Sequence, residues 1–367
     1  MKEFKSFWGS VGLLAATTIG AGMFSLPYIF KESGWLAGIF YLLLFGGILI
    51  FVHYLYWLSL ARVKEKSRLL GLVRERLGNA AFYAAIISVI IGLFLTLVVY
   101  LILAQQFSRL IMPEPASNFG MVLFWLAASL PFLLKLPRLV MAEFFGTLLM
   151  VSAVLFVFAT GNGGFSGIAP IKVENIFLPF GAILFSLAGW TAIEPMFEWQ
   201  KRNSDSKPLS KLVLGTLLSS AVYLLFVFGI LGFNGAISPD TLSGLSSWPL
   251  WKLQLLGWLG IFTIWTSYVP ISLEIKNELE KDLRLPAAFG LAAVIVLPLL
   301  LFLSGFFNFL GAISLVGGVF LALQYVFIIL VSKKILALSG SKKFFANLLI
   351  PVFLTAVVYE IYYFAVK

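Results

Sequence analysis

The sequence contains no cysteine and a single histidine, His53. The missing thiols exclude disulfides and thiolate metal sites, and a single histidine excludes a histidine-rich metal cluster. An enzyme that needs a clustered nucleophile, base or metal set is therefore not expected. Charged residues are also scarce, at 11%, whereas 61% of the chain is hydrophobic and the mean hydropathy is +1.02. This balance indicates a membrane protein.

Eleven apolar segments follow one another along the chain. They cover residues 7–30, 34–61, 80–111, 119–135, 140–161, 176–199, 212–234, 253–276, 286–304, 308–332 and 345–366. Most exceed the roughly 20 residues that cross about 30 Å of hydrocarbon. Because they are apolar on all faces and lack strict alternation, they predict helices rather than a barrel. We therefore predict an all-α polytopic membrane protein with 11 transmembrane helices, in which residues 1–367 form a single domain.

Lysine and arginine are concentrated in alternate loops between these segments. The largest group lies between the second and third segments and comprises Arg62, Lys64, Lys66, Arg68, Arg74 and Arg76. The positive-inside rule predicts that these loops and the N-terminus are cytoplasmic. The net charge of +10 is thus a sign of topology and not of a nucleic-acid partner. The stretch SRLLGLVRERLG in this loop predicts a short amphipathic helix on the cytoplasmic surface.

The first segment contains helix-breaking residues in its middle, in the stretch ATTIGAGMFSLPY. Glycine costs about 1 kcal/mol relative to alanine in a helix, and proline about 3 kcal/mol. Pro27 is also expected to leave the carbonyl of Met23 without its helical partner. In lipid such a group costs several kcal/mol unless protein or a water-filled cavity satisfies it. The stretch predicts a broken helix around Gly20 and Gly22.

The sixth segment repeats this pattern in FSLAGWTAIEP, where Gly189 and Pro195 interrupt the apolar run. Segments one and six are five positions apart in the series, an odd offset, so the two helices run in opposite directions through the membrane. Paired interruptions of this kind are typical of an inverted repeat with a binding site at the breaks. We predict five plus five helices and an appended one, with approximate bounds of 7–161, 176–332 and 345–366.

A broken helix offers free amides at one half and free carbonyls at the other. The amides suit a substrate carboxylate, and the carbonyls suit an ammonium group or a sodium ion. A zwitterionic amino acid satisfies both ends at once. The alternative is that Gly20 and Gly22 only permit close helix packing, and that Pro27 is a repaired kink.

The stretch ATTIGAGMFSLPYIFKESGW resembles the first helix of amino-acid permeases of the amino-acid–polyamine–organocation (APC) superfamily. It is most similar to the aromatic amino-acid permeases and the amino acid/auxin permease branch, whose first helices share a GAG-then-LPY pattern followed by GW. Segments one, six and eight carry the recognisable motifs. The resemblance implies the LeuT-type fold and secondary transport of amino acids across the cell membrane.

By motif position, the resemblance implies that amides near Gly20 and Ala21 bind the substrate carboxylate and that carbonyls of both breaks bind its amine. Trp190 occupies the region where family members keep a bulky residue over the pocket, but the aromatic permeases resemble FGFHG there, so substrate identity does not carry over. The candidate substrate-binding residues are Thr18, Gly20, Ala21, Gly22, Phe185, Ser186, Leu187, Trp190, Thr96 and Tyr100.

Segment eight places three hydroxyls, those of Thr263, Thr266 and Ser267, on one helix face. In sodium-coupled members of the fold, hydroxyls at a similar spacing join carbonyls of the first helix around sodium. The resemblance implies that these carbonyls belong to Ala16 and Ile19, and oxygen-only ligands suit such a cation. The alternative is that the hydroxyls bond to carbonyls of their own helix.

Glu194 lies in the second half of segment six, where a carboxylate at a helix centre costs about 2.5–3.5 kcal/mol. It is a candidate carrier of a coupling proton, or alternatively a structural cap of the broken segment. Glu274 is expected to be solvated at the membrane boundary, and His53 to be a hydrogen-bonded packing residue. Glu360 lies in segment eleven, outside the repeat.

These observations predict a secondary active transporter that imports a small, neutral amino acid by alternating access, driven by Na⁺ or H⁺. The expected partners are the amino acid and the lipid bilayer, with no cofactor beyond the coupling ion, no nucleic acid and no obligatory protein partner. A cationic substrate stays open because of Glu194. The alternative is a membrane sensor of the same fold that binds an amino acid without sustained transport.

Overall fold

The computed structural model describes residues 2–63, 68–112, 116–133, 139–160, 170–203, 207–232, 237–245 and 247–366. Regular structure in these ranges is helical, with no strand. The first half of the chain contains α1 (Lys2–Thr18), a 3-10 turn (Ala21–Ser25), α2 (Leu26–Ser33), α3 (Trp35–Arg62), α4 (Leu69–Leu77), α5 (Asn79–Ile111), α6 (Ala116–Leu133) and α7 (Leu139–Thr160).

The second half begins with a 3-10 turn (Val173–Asn175) and a second broken helix. That helix consists of α8 (Pro179–Leu187), a 3-10 turn (Trp190–Ala192) and α9 (Ile193–Arg202). It is followed by α10 (Leu209–Leu231), a 3-10 turn (Leu242–Leu245), α11 (Leu250–Asn277), a π-helical turn (Glu278–Asp282), α12 (Ala287–Leu303), α13 (Phe309–Leu315), a π-helix (Val316–Leu321), α14 (Ala322–Leu336) and α15 (Gly340–Val366).

Within the described residues, seven helices are long and apolar enough to cross a membrane, or eight if α1 and α2 form one span bent by 47°. Three shorter apolar helices, Asn118–Phe132, Leu148–Thr160 and Ala287–Leu303, lie at the fourth, fifth and ninth predicted segments. The multi-pass helical architecture is therefore present. The number of eleven crossings and the cytoplasmic N-terminus remain predictions.

The first break lies where the sequence predicts it, but Pro27 acts differently from the expectation. Gly20 is extended, with φ −151° and ψ −150°, which ends α1. Pro27 then falls in the first turn of α2, where its missing N–H would have had no helical partner. The carbonyl of Met23 is not left free, because it accepts a hydrogen bond from the amide of Leu26. The expectation for Met23 was wrong because the chain forms a tighter 3-10 turn there.

The two breaks cross in direct contact. A Cβ atom on Gly22 would lie 2.7 Å from the Cα atom of Ser186 in α8. Only glycine allows the backbones to approach this closely without a shift. The close approach brings the free ends of both broken helices to the same point in the interior.

The lysine- and arginine-rich loops meet at one end of the helix bundle, which we call the basic end. Arg62 Nη1 donates to the carbonyl of Leu336 at 3.1 Å, and Lys334 Nζ donates to the carbonyl of Arg76 at 2.8 Å. The short helix α4 also lies here, as predicted. Its apolar side chains are packed against α5 and α14 rather than left at the surface; they are Leu69, Leu70, Leu72 and Val73.

The other end of the bundle, the opposite end, holds the loops that follow α2 and precede α8 and α11. Lys172 Nζ donates to Glu32 at 3.1 Å, and the Lys172 amide donates to the carbonyl of Ser33 at 3.1 Å. The glycine-rich stretch at 161–169 lies outside the described residues. The segment 237–245 folds back into the bundle, and its Thr241 is buried.

Candidate functional site

A cavity of about 60 Å³ lies between the two breaks, with room for a few water molecules. Eight of the candidate substrate-binding residues line it: Thr18, Gly20, Ala21, Gly22, Thr96, Tyr100, Phe185 and Trp190. Ser186 and Leu187 do not line the cavity and are buried behind it. The geometry thus brings residues from segments one, three and six to one point.

Tyr100 of α5 reaches the amide side of the first break. Its hydroxyl faces the backbone of Ala21 and the side chain of Ser267. A Cβ atom on Gly20 would lie 3.1 Å from this hydroxyl, so the glycine gives the tyrosine access to the break. The phenol oxygen therefore occupies the position in which the resemblance implies a substrate carboxylate.

Tyr223 of α10 links the carbonyl sides of both breaks, and it was not anticipated from the sequence. Its hydroxyl donates to the carbonyl of Thr18 and lies 2.5 Å from the carbonyl oxygen of Ser186. The hydroxyl also faces the amide of Gly20. These are the carbonyls that the resemblance assigns to the substrate amine. The available signal was a lone tyrosine in the apolar run SSAVYLLFVF.

Trp190 is held rigidly in the wall of the cavity. Its Nε1 atom donates to Gln324 Oε1 at 2.6 Å, and Gln324 Nε2 donates to the carbonyl of Ser88 at 2.8 Å. Trp190 is 1% exposed. Sequence reasoning did not single out Gln324, although it is a polar residue in an apolar segment. The bridge through Gln324 connects the second break to α5 and α14.

His53 is a buried packing residue behind the second break. Its Nε2 atom lies 3.1 Å from the hydroxyl of Tyr325. The same hydroxyl accepts a hydrogen bond from the amide of Gly189 at 3.3 Å. His53 therefore supports the tyrosine that satisfies a backbone amide of the break.

A second cavity, of about 300 Å³, adjoins the central one and shares Thr17 and Tyr100 with it. Ala16, Thr266 and Ser267 line this second cavity. Three members of the implied sodium site thus face one space. All are oxygen donors or carry a backbone carbonyl, as a hard cation requires.

The hydroxyls of segment eight also bond to their own helix. Thr266 donates to the carbonyl of Thr263 at 2.7 Å, and Ser267 to the same carbonyl at 3.4 Å. Thr263 itself donates to the carbonyl of Leu259 at 2.7 Å. Neither Thr263 nor Ile19 lines the second cavity. The hydroxyls therefore bond to carbonyls of their own helix, which was the alternative to a sodium site. Because they act as donors in these bonds, the oxygen lone pairs of Thr266 and Ser267 are still able to bind a cation.

Arg68 forms ion pairs with three carboxylates at the basic end. It lies 3.9 Å from Glu194, 3.1 Å from Glu274 and 3.8 Å from Glu278. We call these four residues the basic-end cluster. Burial opposes the charge of Arg68, but Glu274, Glu194 and Glu278 outweigh it, so the pKa of Arg68 lies above its ordinary value. The guanidinium is thus permanently charged and joins α4, α9 and α11.

Glu194 is held by further donors in this cluster. The hydroxyl of Tyr56 donates to it at 2.5 Å, and the amide of Leu69 at 3.3 Å. It therefore caps the first turn of α4 rather than its own helix. The expectation that Glu274 is solvated was wrong, because its side chain is only 18% exposed and pairs with Arg68. Arg68 belongs to the positive-inside pattern of its loop, and that pattern contains no information about its partner Glu274.

The cavities form a path from the centre to the basic end. A third cavity, of about 640 Å³, shares Arg68, Pro195 and Glu274 with the second. The basic-end cluster lies where these two meet. At the opposite end, a cavity of about 840 Å³ shares no described lining residue with the central one.

The barrier towards the opposite end is packed and hydrogen-bonded. Thr241 Oγ1 donates to the carbonyl of Phe24 at 2.5 Å. The ring of Phe24 meets those of Phe107 and Phe226 edge-on, with centroids 5.2 and 5.4 Å apart. These contacts pack the side of the central site that faces the opposite end, whereas adjoining cavities connect the site to the basic end.

The family model for transmembrane amino acid transporter proteins matches residues 4–235. The chain belongs to this family. It is an APC-type family, so the resemblance seen in the first helix is confirmed. Comparison with functionally curated proteins finds no significant match.

Solved structures of transporters have the same fold as this chain. The chain is similar to MhsT in complex with L-phenylalanine, with TM-score 0.68 and 14% identity over 95% of this chain and 98% of that one. It is also similar to the Eremococcus coleocola manganese transporter, with TM-score 0.61 and 13% identity over 97% and 94%. Inward-facing Mhp1 gives TM-score 0.58 and 12% identity over 86% and 75%. These neighbours confirm the LeuT-type fold.

Proposed function

We propose that this family member is a symporter that imports a small, neutral amino acid together with Na⁺ or H⁺ across the cell membrane. The observation that carries the proposal is the central cavity, in which the free backbone ends of two broken helices meet. In this proposal the basic end is cytoplasmic, as the positive-inside rule predicts.

The polar groups around the cavity support an amino acid as the substrate. The amides near Gly20 and Ala21 suit a carboxylate, and the carbonyls of Thr18 and Ser186 suit an ammonium group. The hydroxyls of Tyr100 and Tyr223 lie at these groups. We propose that a substrate exchanges with or joins these hydroxyls.

The apolar lining supports a small side chain without charge. Leu93, Phe185, Ile271 and Leu321 contribute hydrocarbon, and the described lining contains no ionisable acid or base apart from the phenol of Tyr100. Glu194 is held in the basic-end cluster and does not line the cavity. This position of Glu194 supports a neutral substrate over the cationic one that the sequence left open.

Two coupling ions fit different parts of the path to the basic end. Na⁺ fits the second cavity, near the carbonyl of Ala16 and the hydroxyls of Thr266 and Ser267. A proton on Glu194 is the other option, because this carboxyl group lines the third cavity on the path to the basic end. The linked cavities support alternating access, with this conformation joined to the cytoplasmic side.

Uptake of a labelled amino-acid mixture into proteoliposomes tests the proposal. We expect concentrative uptake under an inward Na⁺ gradient or an inward proton gradient, and none in protein-free liposomes. Competition with unlabelled neutral, cationic and anionic amino acids then identifies the substrate class. Binding without uptake under either gradient would contradict transport and favour the sensor.

A further inference from the structure

Glu360 of α15 is a buried carboxyl group that the proposed transport cycle does not use. Its side chain lines the 840 Å³ cavity at the opposite end, yet the residue is only 2% exposed. No other described residue forms a hydrogen bond or an ion pair with it. Buried carboxylates are almost always paired, so this one requires an explanation.

The carboxyl group is wedged where α8 crosses the π-helix Val316–Leu321. A Cβ atom on Gly181 of α8 would lie 2.7 Å from Glu360 Oε1 and 2.8 Å from the carbonyl oxygen of Ser314. A Cβ atom on Gly318 would overlap the stem of Glu360. The two glycines form a notch that admits this side chain.

The helices packed against Glu360 supply no cation. Neither α8 nor the π-helix contains a titratable residue, and α13 contains none either. On α14, Lys333 bonds to Asn347, which is 13 residues before Glu360, about 20 Å along the helix. Lys334 bonds to the carbonyl of Arg76 at the basic end.

The other described titratable groups near Glu360 are also unable to neutralise it. Tyr325 of α14 uses its hydroxyl for Gly189 and His53. Across the cavity, Asp240 is itself acidic and accepts hydrogen bonds from serines of its own loop. Tyr359, the neighbour of Glu360 in α15, also lines this cavity and carries no cationic group.

We propose that Glu360 is a proton-binding site supplied from the opposite end, and that α8 can close against the π-helix only when the proton is bound. An uncompensated buried charge costs several kcal/mol, and no described residue supplies a cation to Glu360. In the binding step a hydronium ion of the outer solution transfers its proton to a carboxylate oxygen and leaves as water. Opening of α8 reverses the step.

The Glu360 site and the central cavity are connected through α8 and the π-helix. Gly181 lies one helical turn before Phe185, which lines the central cavity, and Leu321 at the end of the π-helix lines it too. Movement of α8 away from the π-helix would therefore change both sites together. This part of the inference rests on the proposed alternating access, because it takes the 840 Å³ cavity to be the outer entrance.

The absence of cysteine allows a direct test with a single reporter. Ser314→Cys places a thiol in the outer cavity at a residue that is 7% exposed and lies under α8. Intact cells carrying this variant are treated with a membrane-impermeant maleimide at several outer pH values. The same reporter is measured in a second variant that also carries Glu360→Gln. The labelling rate with Glu360 present is divided by the rate with Glu360→Gln, and this ratio cancels the pH dependence of the thiol itself.

We expect this ratio to be close to one at low outer pH and to rise as outer pH rises, by up to about tenfold per pH unit for one proton. Ionised Glu360 keeps the cavity open, whereas glutamine imitates the protonated side chain. Val173→Cys is the matched control, because its side chain is 75% exposed on the same end and its ratio should stay near one.

Glu360→Asp provides a second test that retains a titratable group, and it should keep the pH dependence if the fold is intact by gel filtration. A ratio that is flat across outer pH would overturn the proposal, as would a ratio that follows cytoplasmic pH in intact cells held at constant outer pH. Labelling does not require transport. A flat ratio alongside active uptake would remove only the proton site, whereas a rising ratio without uptake would remove only the transport function.

Discussion

The hydroxyl of Tyr223 provides the sharpest test of how the two breaks are stabilised. It lies between the carbonyl oxygens of Thr18 and Ser186 and donates one proton to them. Tyr223→Phe removes this donor and leaves at least one buried carbonyl unpaired. The cost of such a group is about 1–3 kcal/mol. We expect the free energy of unfolding of the substrate-free protein to fall by this amount.

Tyr268→Phe is the matched control for this prediction. Tyr268 is also a buried tyrosine, but its hydroxyl has no hydrogen-bond partner among the described residues. Removal of that hydroxyl deletes an unsatisfied group, so the free energy of unfolding should stay the same or rise. The same chemical change therefore has opposite effects at two buried sites.

The assay is denaturant unfolding in detergent micelles or bicelles, followed by tryptophan fluorescence, with and without amino-acid substrate. Equal losses in both variants would show that the difference between the two hydroxyls is unimportant. A loss below about 0.5 kcal/mol for Tyr223→Phe, within the range of surface substitutions, would refute the bridge. Substrate should reduce the loss, because its ammonium group can satisfy the freed carbonyl.

The remaining predictions concern the crossing, the basic-end cluster and the ion cavity. Gly22→Ala should lower uptake about 5- to 150-fold, because its methyl group meets the backbone of α8 at a cost of about 1–3 kcal/mol. Gly47→Ala is the control and should leave uptake unchanged, because a Cβ atom at Gly47 has no neighbour within 4 Å. Arg68→Ala should lower the free energy of unfolding by up to about 3–5 kcal/mol, because it leaves carboxylates unpaired. Acid should recover part of that loss by protonating the unpaired carboxylates. Arg76→Ala should change the free energy of unfolding by less than about 1 kcal/mol, since the ion pair of Arg76 is exposed. Ser267→Ala should weaken the Na⁺ dependence of uptake more than its substrate affinity, and an equal loss of both would contradict a sodium site.

Much of the central site was predictable because helix interruption is a local property. Glycine disfavours helix whatever its tertiary surroundings, so Gly20, Gly22 and Gly189 mark the positions of both breaks in the sequence. Thr96 and Tyr100 share a face of segment three at a spacing of four residues. Both line the central cavity.

The partners of the polar groups were not predictable in the same way. Tyr223 and Gln324 are isolated polar residues in apolar segments, which indicates that each needs a partner but not which one. Arg68 contributes to the positive-inside pattern whether or not it bonds to Glu274. Each of these contacts joins residues more than 30 positions apart, and local patterns contain no information about such pairs.

The sequence by itself determined that the chain is a multi-pass helical membrane protein with breaks in its first and sixth segments. Hydropathy, charge and backbone propensity act within one segment, so each segment reports them directly. Only the tertiary structure decided which groups satisfy the freed amides and carbonyls, where Glu194 is paired, and that Glu360 lies in a notch without a partner among the described residues. A buried polar group takes whichever partner packing brings within about 3 Å, and packing is set by the whole bundle.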